Sequence, residues 1–160
     1  MAKILVVEDE QMLAKIIGMK LEEEHYEVVH AYDGQQAYDA LAVENNFDLV
    51  LLDVLLPRMS GFDVLEKLRT EQKVVPKVIV FSNFAQQADV ERAHVLGAVD
   101  YIVKAAFSPA EILTKIKSIL DAPSADPAKP AADAYANFQS MEEVAPMAEV
   151  LRPGQPNNNP

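Results

Sequence analysis

The sequence contains no cysteine and no tryptophan among its 160 residues. The absence of cysteine excludes a disulfide framework, thiolate zinc sites and a cysteine nucleophile. Basic residues are also in the minority, with 14 lysines and arginines against 25 aspartates and glutamates. The formal net charge is therefore −11. This charge opposes non-specific attraction to nucleic acid or to an anionic membrane surface, so neither is an expected partner.

Long hydrophobic runs are absent as well. No apolar stretch approaches the roughly 18 residues that a membrane-spanning helix needs. The first apolar run ends at Val7 and turns acidic at Glu8, so it is too short for a secretory signal. Hydrophobic residues nevertheless make up 50% of the sequence, enough for a buried core. We therefore expect a soluble, cytoplasmic protein.

Composition changes sharply after Leu120. Seven of the 10 prolines lie beyond this point, together with many alanines and a run of asparagines. Such a segment favours an extended or disordered chain over a packed core. We predict a folded domain over residues 1–120 and a disordered Pro/Ala-rich tail over residues 121–160.

Short apolar runs and helical stripes alternate within residues 1–120. The runs are rich in valine, isoleucine and leucine, as expected for parallel strands covered on both faces. They lie at Lys3–Val7, Glu27–Ala31, Asp48–Leu52, Lys77–Phe81 and Val99–Val103. The clearest helical stripes consist of Leu13, Ile16, Ile17 and Leu21; of Phe62, Leu65 and Leu68; and of Ile112, Ile116, Ile119 and Leu120. The pattern predicts an α/β fold with a doubly wound, five-stranded parallel sheet.

Helix-terminal signals agree with this alternation. Ser108 and Glu111 have the spacing of a capping box, with proline between them at the first helical position. Asp33 and Ser60 are weaker candidates for helix starts, and Gly97 stands where a helix C-cap belongs.

Polar side chains follow four of the five predicted strands where each strand ends. They are Glu8 and Asp9 after the first strand, Asp53 after the third, Ser82 after the fourth and Lys104 after the fifth. Ligands of an open α/β sheet bind beyond the carboxyl ends of its strands, so we expect these groups to converge. Clustered carboxylates resist joint ionisation unless a cation lies among them, and oxygen ligands suit Mg²⁺. Aspartate can accept a phosphoryl group, whose charge a lysine and a hydroxyl would stabilise.

These residues carry a resemblance to a known family. The segments Val6–Glu10, Leu51–Val54, Pro57–Gly61 and Gly97–Lys104, together with Ser82, resemble the receiver domain of bacterial two-component response regulators. The similarity extends over residues 3–120. It implies the flavodoxin-like strand order 2-1-3-4-5.

The resemblance also implies roles for individual residues. Asp53 would accept a phosphoryl group from a histidine kinase or a phosphotransfer protein, with Lys104 and Ser82 acting in the reaction. Mg²⁺ would be bound by Glu8, Asp9, Asp53 and the backbone carbonyl of Leu55. Ser82 and Tyr101 would form the switch that changes partner binding. The sequence departs from the family where Ala105 replaces the usual proline, commonly cis, after the lysine, and where Asn83 replaces a smaller residue.

Several functions remain open at this stage. The leading hypothesis is a stand-alone response regulator, not an enzyme acting on a separate substrate, whose output is an unknown partner protein or a phosphorylation-dependent homodimer. An aspartate-nucleophile phosphatase would have an acid two positions after Asp53, where this chain has Leu55. A flavodoxin-like cofactor carrier would need a loop rich in glycine, serine or threonine after the first strand. A degenerate receiver, acting as a phosphate-independent adaptor, is the fourth possibility.

Overall fold

Strands and helices alternate along the part of the chain that the computed structural model describes, residues 1–84 and 86–123. The strands are β1 Lys3–Val7, β2 Glu27–Ala31, β3 Leu49–Asp53, β4 Lys77–Ser82 and β5 Asp100–Val103. The helices are α1 Gln11–Glu23, α2 Gly34–Val43, α3 Gly61–Thr70, α4 Gln87–Val95 and α5 Pro109–Asp121, with a 3₁₀ turn at Lys104–Ala106. The prediction of a disordered tail concerns residues that, from 124 onward, lie outside those described.

All neighbouring strands are parallel, and their order is β2-β1-β3-β4-β5. The predicted doubly wound α/β fold and its strand order are therefore confirmed. The register aligns Val7 with Leu52 and Asp53 with Phe81. This alignment brings the carboxyl ends of β1, β3 and β4 to one edge of the sheet.

The sheet separates two apolar cores. One core packs α2, α3 and α4 against one face, and the other packs α1 and α5 against the opposite face. The central strand β3 is buried along its whole length, as its continuous apolar sequence predicts. None of the described helices has the length and apolar character needed to cross a membrane.

The predicted apolar stripe of α1 is partly wrong. Ile17 and Leu21 are buried as expected, but Ile16 is 42% exposed. The buried face instead includes Ala14 and Gly18. A Cβ atom at Gly18 would lie 2.7 Å from the ring of His30, so the helix packs closely on β2 through its small residues. This close packing turns Ile16 toward solvent.

The predicted helix-terminal signals are present. Ser60 and Ser108 each form a capping box at the start of α3 and α5. Gly97 has φ 94° after α4, a left-handed conformation that favours glycine. Its N–H donates to the His94 carbonyl and the Ala98 N–H donates to the Ala93 carbonyl, which together form a Schellman motif.

Candidate functional site

The fold brings three acidic side chains together at the carboxyl edge of the sheet. Glu8 and Asp9 follow β1, and Asp53 ends β3. One carboxylate oxygen from each residue lies within 4.8 Å of the others. The sequence-based expectation that these residues converge agrees with this geometry.

The backbone fixes Glu8 at this position. Its N–H donates to the Ala31 carbonyl at 3.1 Å, which extends the hydrogen bonding between β1 and β2 by one residue. Its Oε1 atom accepts a hydrogen bond from the Glu10 N–H at 3.1 Å. Glu8 is only 1% exposed and Asp53 only 4%, whereas Asp9 is exposed. The cluster therefore has two buried carboxylates and one that faces solvent.

Lys104 joins the two buried carboxylates. Its Nζ atom lies 2.5 Å from Oε2 of Glu8 and 2.8 Å from Oδ2 of Asp53. The same atom is 5.0 Å from the centre of the Phe81 ring, a distance at which the ring face attracts a cation. This role of Phe81 could not be predicted from the sequence, because an aromatic residue in a buried strand ordinarily indicates core packing.

The charges within the cluster are not balanced. Burial raises the pKa of Glu8 and of Asp53, and the contacts with Lys104 oppose that rise only in part. Burial alone would lower the pKa of Lys104, but its bonds to Asp53 and Glu8 outweigh this effect and the pKa is raised. One ammonium group thus faces two buried carboxylates and the nearby Asp9. A bound cation would relieve the excess negative charge.

The donor atoms fit Mg²⁺. All three side chains offer carboxylate oxygens, which this hard cation prefers, and the exposed Asp9 leaves room for water ligands. Oε2 of Glu8 is buried and makes its ion pair without a hydrogen bond of standard geometry. At Leu55 the N–H donates to Oδ1 of Asp53 at 3.3 Å. The metal-binding role of the Leu55 carbonyl stays a prediction.

Ser82 and Tyr101 are linked through the loop after β4. Ser82 is 1% exposed and its Oγ accepts a hydrogen bond from the Phe84 N–H at 3.2 Å. The Tyr101 hydroxyl donates to the Phe84 carbonyl, and its ring is buried. Burial raises the pKa of Tyr101 to about 12, so the hydroxyl remains a donor at neutral pH. One residue, Phe84, therefore connects the two predicted switch side chains.

The loop after β5 lacks the proline, commonly with a cis peptide bond, that usually follows the lysine in the family. Lys104, Ala105 and Ala106 form a 3₁₀ turn. Every peptide bond of the described residues is trans. The turn carries the chain from β5 to the capping box of α5 and leaves the Lys104 side chain directed at the carboxylates.

The chain belongs to the family of response regulator receiver domains. The family model, "Response regulator receiver domain", matches residues 4–117. Receiver domains bind Mg²⁺ at an acidic cluster, are phosphorylated, and interact with histidine kinases or phosphotransfer proteins. The acidic cluster of Glu8, Asp9 and Asp53 lies where the strand ends of this fold meet.

Similar proteins agree with the family. The transcriptional regulatory protein SrrA of Staphylococcus aureus is 41% identical over 118 residues, which cover 74% of this chain and 47% of SrrA. The chain thus spans about half the length of the curated relatives it matches. A CheY-like receiver domain protein from Methanospirillum hungatei is 31% identical with a TM-score of 0.68, covering 76% of this chain and 94% of that one. TrrA of Thermotoga maritima, solved in complex with Mg²⁺-BeF, is 31% identical with a TM-score of 0.63, covering 74% and 99%.

Proposed function

We propose that this protein is a response regulator of the cytoplasm that accepts a phosphoryl group on Asp53 in a Mg²⁺-dependent reaction. The observation that carries the proposal is the position of the Asp53 carboxylate. It is 4% exposed, paired with Lys104 at 2.8 Å, and within 4.8 Å of the oxygens of Glu8 and Asp9. The phosphatase alternative is disfavoured, because Leu55 stands where such an enzyme needs an acid.

The proposed donor is a histidine kinase or a phosphotransfer protein. An oxygen of the Asp53 carboxylate forms a bond to phosphorus while the P–N bond of the donor phosphohistidine breaks. The leaving imidazole nitrogen keeps the electron pair of that bond. The Lys104 ammonium stabilises the negative charge of the group in transfer, and the Ser82 hydroxyl donates a hydrogen bond to one of its oxygens.

The proposed cofactor is Mg²⁺, held by Glu8, Asp9, Asp53 and the Leu55 carbonyl. When bound, Mg²⁺ supplies positive charge beside the transferring phosphoryl group. Support comes from the three convergent carboxylates and from TrrA, whose structure contains Mg²⁺-BeF. The protein is proposed to have no separate substrate: it catalyses its own phosphorylation and slow dephosphorylation, and it functions as a signalling module.

Intact mass spectrometry tests the proposal. Incubation with Mg²⁺ and acetyl phosphate is expected to add one phosphoryl group to the wild-type chain, because a small donor needs only the site itself. Asp53→Asn removes the acceptor oxygen and is expected to add none. Asp63→Asn is a matched control, since Asp63 belongs to the capping box of α3 and not to the cluster. A wild-type chain without added mass, or a phosphorylated Asp53→Asn variant, would overturn the proposal.

The proposed switch follows from the contacts of Phe84. Ser82 Oγ now accepts from the Phe84 N–H, and Tyr101 donates to the Phe84 carbonyl. A phosphoryl group on Asp53 offers Ser82 a charge-assisted hydrogen bond. If Ser82 turns to it, the Phe84 backbone loses a partner and the position of Tyr101 changes with it. The signal then reaches α4, β5 and α5, the proposed partner face.

Ser82→Ala is expected to separate phosphorylation from signalling. The variant retains Asp53 and Lys104, so intact mass should still show phosphorylation. Its amide NMR signals at Phe84 and Tyr101 should lose most of the displacement that phosphorylation causes in the wild type. Thr114→Ala serves as a control, because the Thr114 hydroxyl bonds within α5 at 3.0 Å. Equal displacements in Ser82→Ala and the wild type would contradict the proposed switch.

An exposed apolar stripe on α1 supports a protein as phosphodonor. Met12 is 68% exposed, Ile16 42% and Met19 52%, and their spacing places them on one side of the helix. The helix begins at Gln11, two residues after Asp9. An exposed apolar patch beside a reactive site is typical of a docking surface.

The triple variant Met12→Ser, Ile16→Ser, Met19→Ser tests this docking surface. A purified panel of histidine kinases is first screened for one that phosphorylates the wild-type chain. The rate of phosphoryl transfer from that autophosphorylated kinase is expected to fall about tenfold in the variant, the loss typical of central interface residues. Phosphorylation by acetyl phosphate should stay unchanged, because that donor needs no docking. An equal fall in rate with the kinase and with acetyl phosphate would show that the substitutions damage the phosphorylation site itself. An unchanged rate with the kinase would exclude the stripe as its docking surface.

A further inference from the structure

Lys115 contacts both ends of the segment that carries Tyr101 and Lys104. Its Nζ atom lies 3.0 Å from Oδ2 of Asp100, the first residue of β5. The same atom lies 5.1 Å from the centre of the Phe107 ring, directly after the 3₁₀ turn. One side chain of α5 thus binds the start of β5 and the end of the turn that follows it.

Asp100 is held firmly at the first of these contacts. It is only 6% exposed, and its Oδ1 atom accepts a hydrogen bond from the Tyr101 N–H at 2.7 Å. Its other oxygen pairs with Lys115. A buried carboxylate that loses its cation is left with an uncompensated charge. The pair therefore supports the backbone at Tyr101, which β5 also holds by pairing with β4.

Phe107 supplies the second contact. Its backbone is extended, with φ −129° and ψ 132°, between the 3₁₀ turn and the cap of α5. Its ring packs against the core formed with α1 and α5. Ala105 and Ala106 are exposed and offer only methyl groups. The segment from Asp100 to Phe107, which contains the turn and Lys104, is therefore held at its two ends.

Lys104 depends on this support because its side chain is long and flexible. A lysine side chain loses much rotamer freedom when its ammonium is fixed, as it is here between Glu8 and Asp53. A small shift of its Cα atom would move the ammonium away from one of the two carboxylates. Groups held close to the reacting geometry lose much of their effect when displaced by about 1 Å.

We infer that Lys115 is a positioning residue, which places the Lys104 ammonium at the acceptor site by binding Asp100 and Phe107 together. The inference rests on the proposed function of Asp53 as the phosphoacceptor. It predicts that Lys115 influences the phosphorylation rate without contacting any reacting atom.

Two lysines of α5 allow a matched comparison. Lys115→Met removes the ammonium and keeps a long apolar side chain, and Lys115→Arg restores the positive charge. Lys117→Met is the control: Lys117 also pairs with a carboxylate, Oε2 of Glu24 at 2.5 Å, but this pair is more exposed, at 38% and 42% against 24% and 5% for Lys115 and Asp100. A lost surface pair of this kind has little effect. The full chain is used for every variant.

Two readouts separate positioning from stability. The first is the phosphorylation rate at saturating Mg²⁺ and acetyl phosphate, well below the unfolding temperature. The second is hydrogen exchange of the Lys104 ammonium protons, followed by NMR without Mg²⁺. Lys115→Met is expected to slow phosphorylation about tenfold and to speed this exchange, while Lys117→Met leaves both within about twofold of wild type. Lys115→Arg should recover most of the loss.

The inference is overturned if folded Lys115→Met matches Lys117→Met in both readouts, even if its thermal stability is lower. If Lys115→Met does not fold, Phe107→Leu carries the same test, since it removes the ring contact and leaves the ion pair with Asp100 in place. Should wild-type chain accept no phosphoryl group, the proposed function fails, and Lys104 exchange still decides whether Lys115 positions that ammonium.

Discussion

Asp9→Ala is expected to abolish Mg²⁺ binding at millimolar concentrations and to slow phosphorylation of Asp53 by about 10²-fold or more, the loss typical when a charge-stabilising group is removed. The ion pairs of the described residues link Lys104 to Glu8 and Asp53 and leave the Asp9 carboxylate without a lysine. Asp9 is also the exposed member of the cluster. Its carboxylate is therefore the one most available to a cation arriving from solvent.

Glu8→Gln should have a weaker effect. The amide keeps an oxygen at the same place, and Glu8 already shares the Lys104 ammonium. We expect wild-type affinity for Mg²⁺ in the millimolar to sub-millimolar class, because the protein offers few ligands and several waters remain. Titration calorimetry and intact mass provide the two measurements.

Glu10→Ala is the matched control for Asp9→Ala. It removes one negative charge from the same loop, and the Glu10 side chain makes no capping bond to α1. A general loss of negative potential would weaken Mg²⁺ binding in both variants. Normal phosphorylation of Asp9→Ala would show that the metal assignment is wrong.

The strand ends explain why much of this site could be predicted from the sequence. A buried parallel strand is an uninterrupted apolar run, so the polar residue after it marks the edge of the sheet. Glu8, Asp53, Ser82 and Lys104 all stand at such positions, and the register of the strands brings them to one edge. Their convergence follows from the direction of the strands and needs no knowledge of side-chain packing.

Contacts between distant elements could not be predicted in this way. The pairing of Lys115 with Asp100 depends on how α5 packs against the sheet. The position of the Lys104 ammonium over the Phe81 ring depends on how β5 lies beside β4. A lysine on a helix ordinarily suggests a solvated face. The exposure of Ile16 likewise depends on how closely Gly18 approaches His30. Hydrophobic periodicity carries no information about that distance.

The phosphoryl group on Asp53 is expected to persist long after transfer, because the apolar side chains of Leu55 and Phe84 cannot assist water. Leu55 is 58% exposed and Phe84 50% exposed. Both line the cleft that Ser82 and Tyr101 also border. Loss of the phosphoryl group requires a water molecule to attack phosphorus opposite Asp53. The side chains of Leu55 and Phe84 are apolar and cannot accept a hydrogen bond from that water.

Leu55→Asn combined with Phe84→Glu is therefore expected to shorten the phosphoryl lifetime. A positioned acid or base typically contributes about 10²–10⁴-fold, and orienting a water contributes less, so we expect an acceleration of about 10- to 100-fold. The added amide and carboxylate would hold a water by hydrogen bonds, and the carboxylate would accept its proton. The decay of the phosphorylated mass after removal of acetyl phosphate gives the lifetime.

The control variant combines Val74→Asn with Val95→Glu. It introduces the same two polar side chains at exposed apolar positions that do not line this cleft. Val74 is 76% exposed and Val95 67% exposed. This control should decay at the wild-type rate, because its new polar groups cannot reach the attacking water. Wild-type phosphoprotein that decays within seconds at 25 °C, or a cleft variant no faster than the control, would show that Leu55 and Phe84 do not set the lifetime. Slow decay in the wild type would require termination by a kinase acting in reverse or by a separate phosphatase.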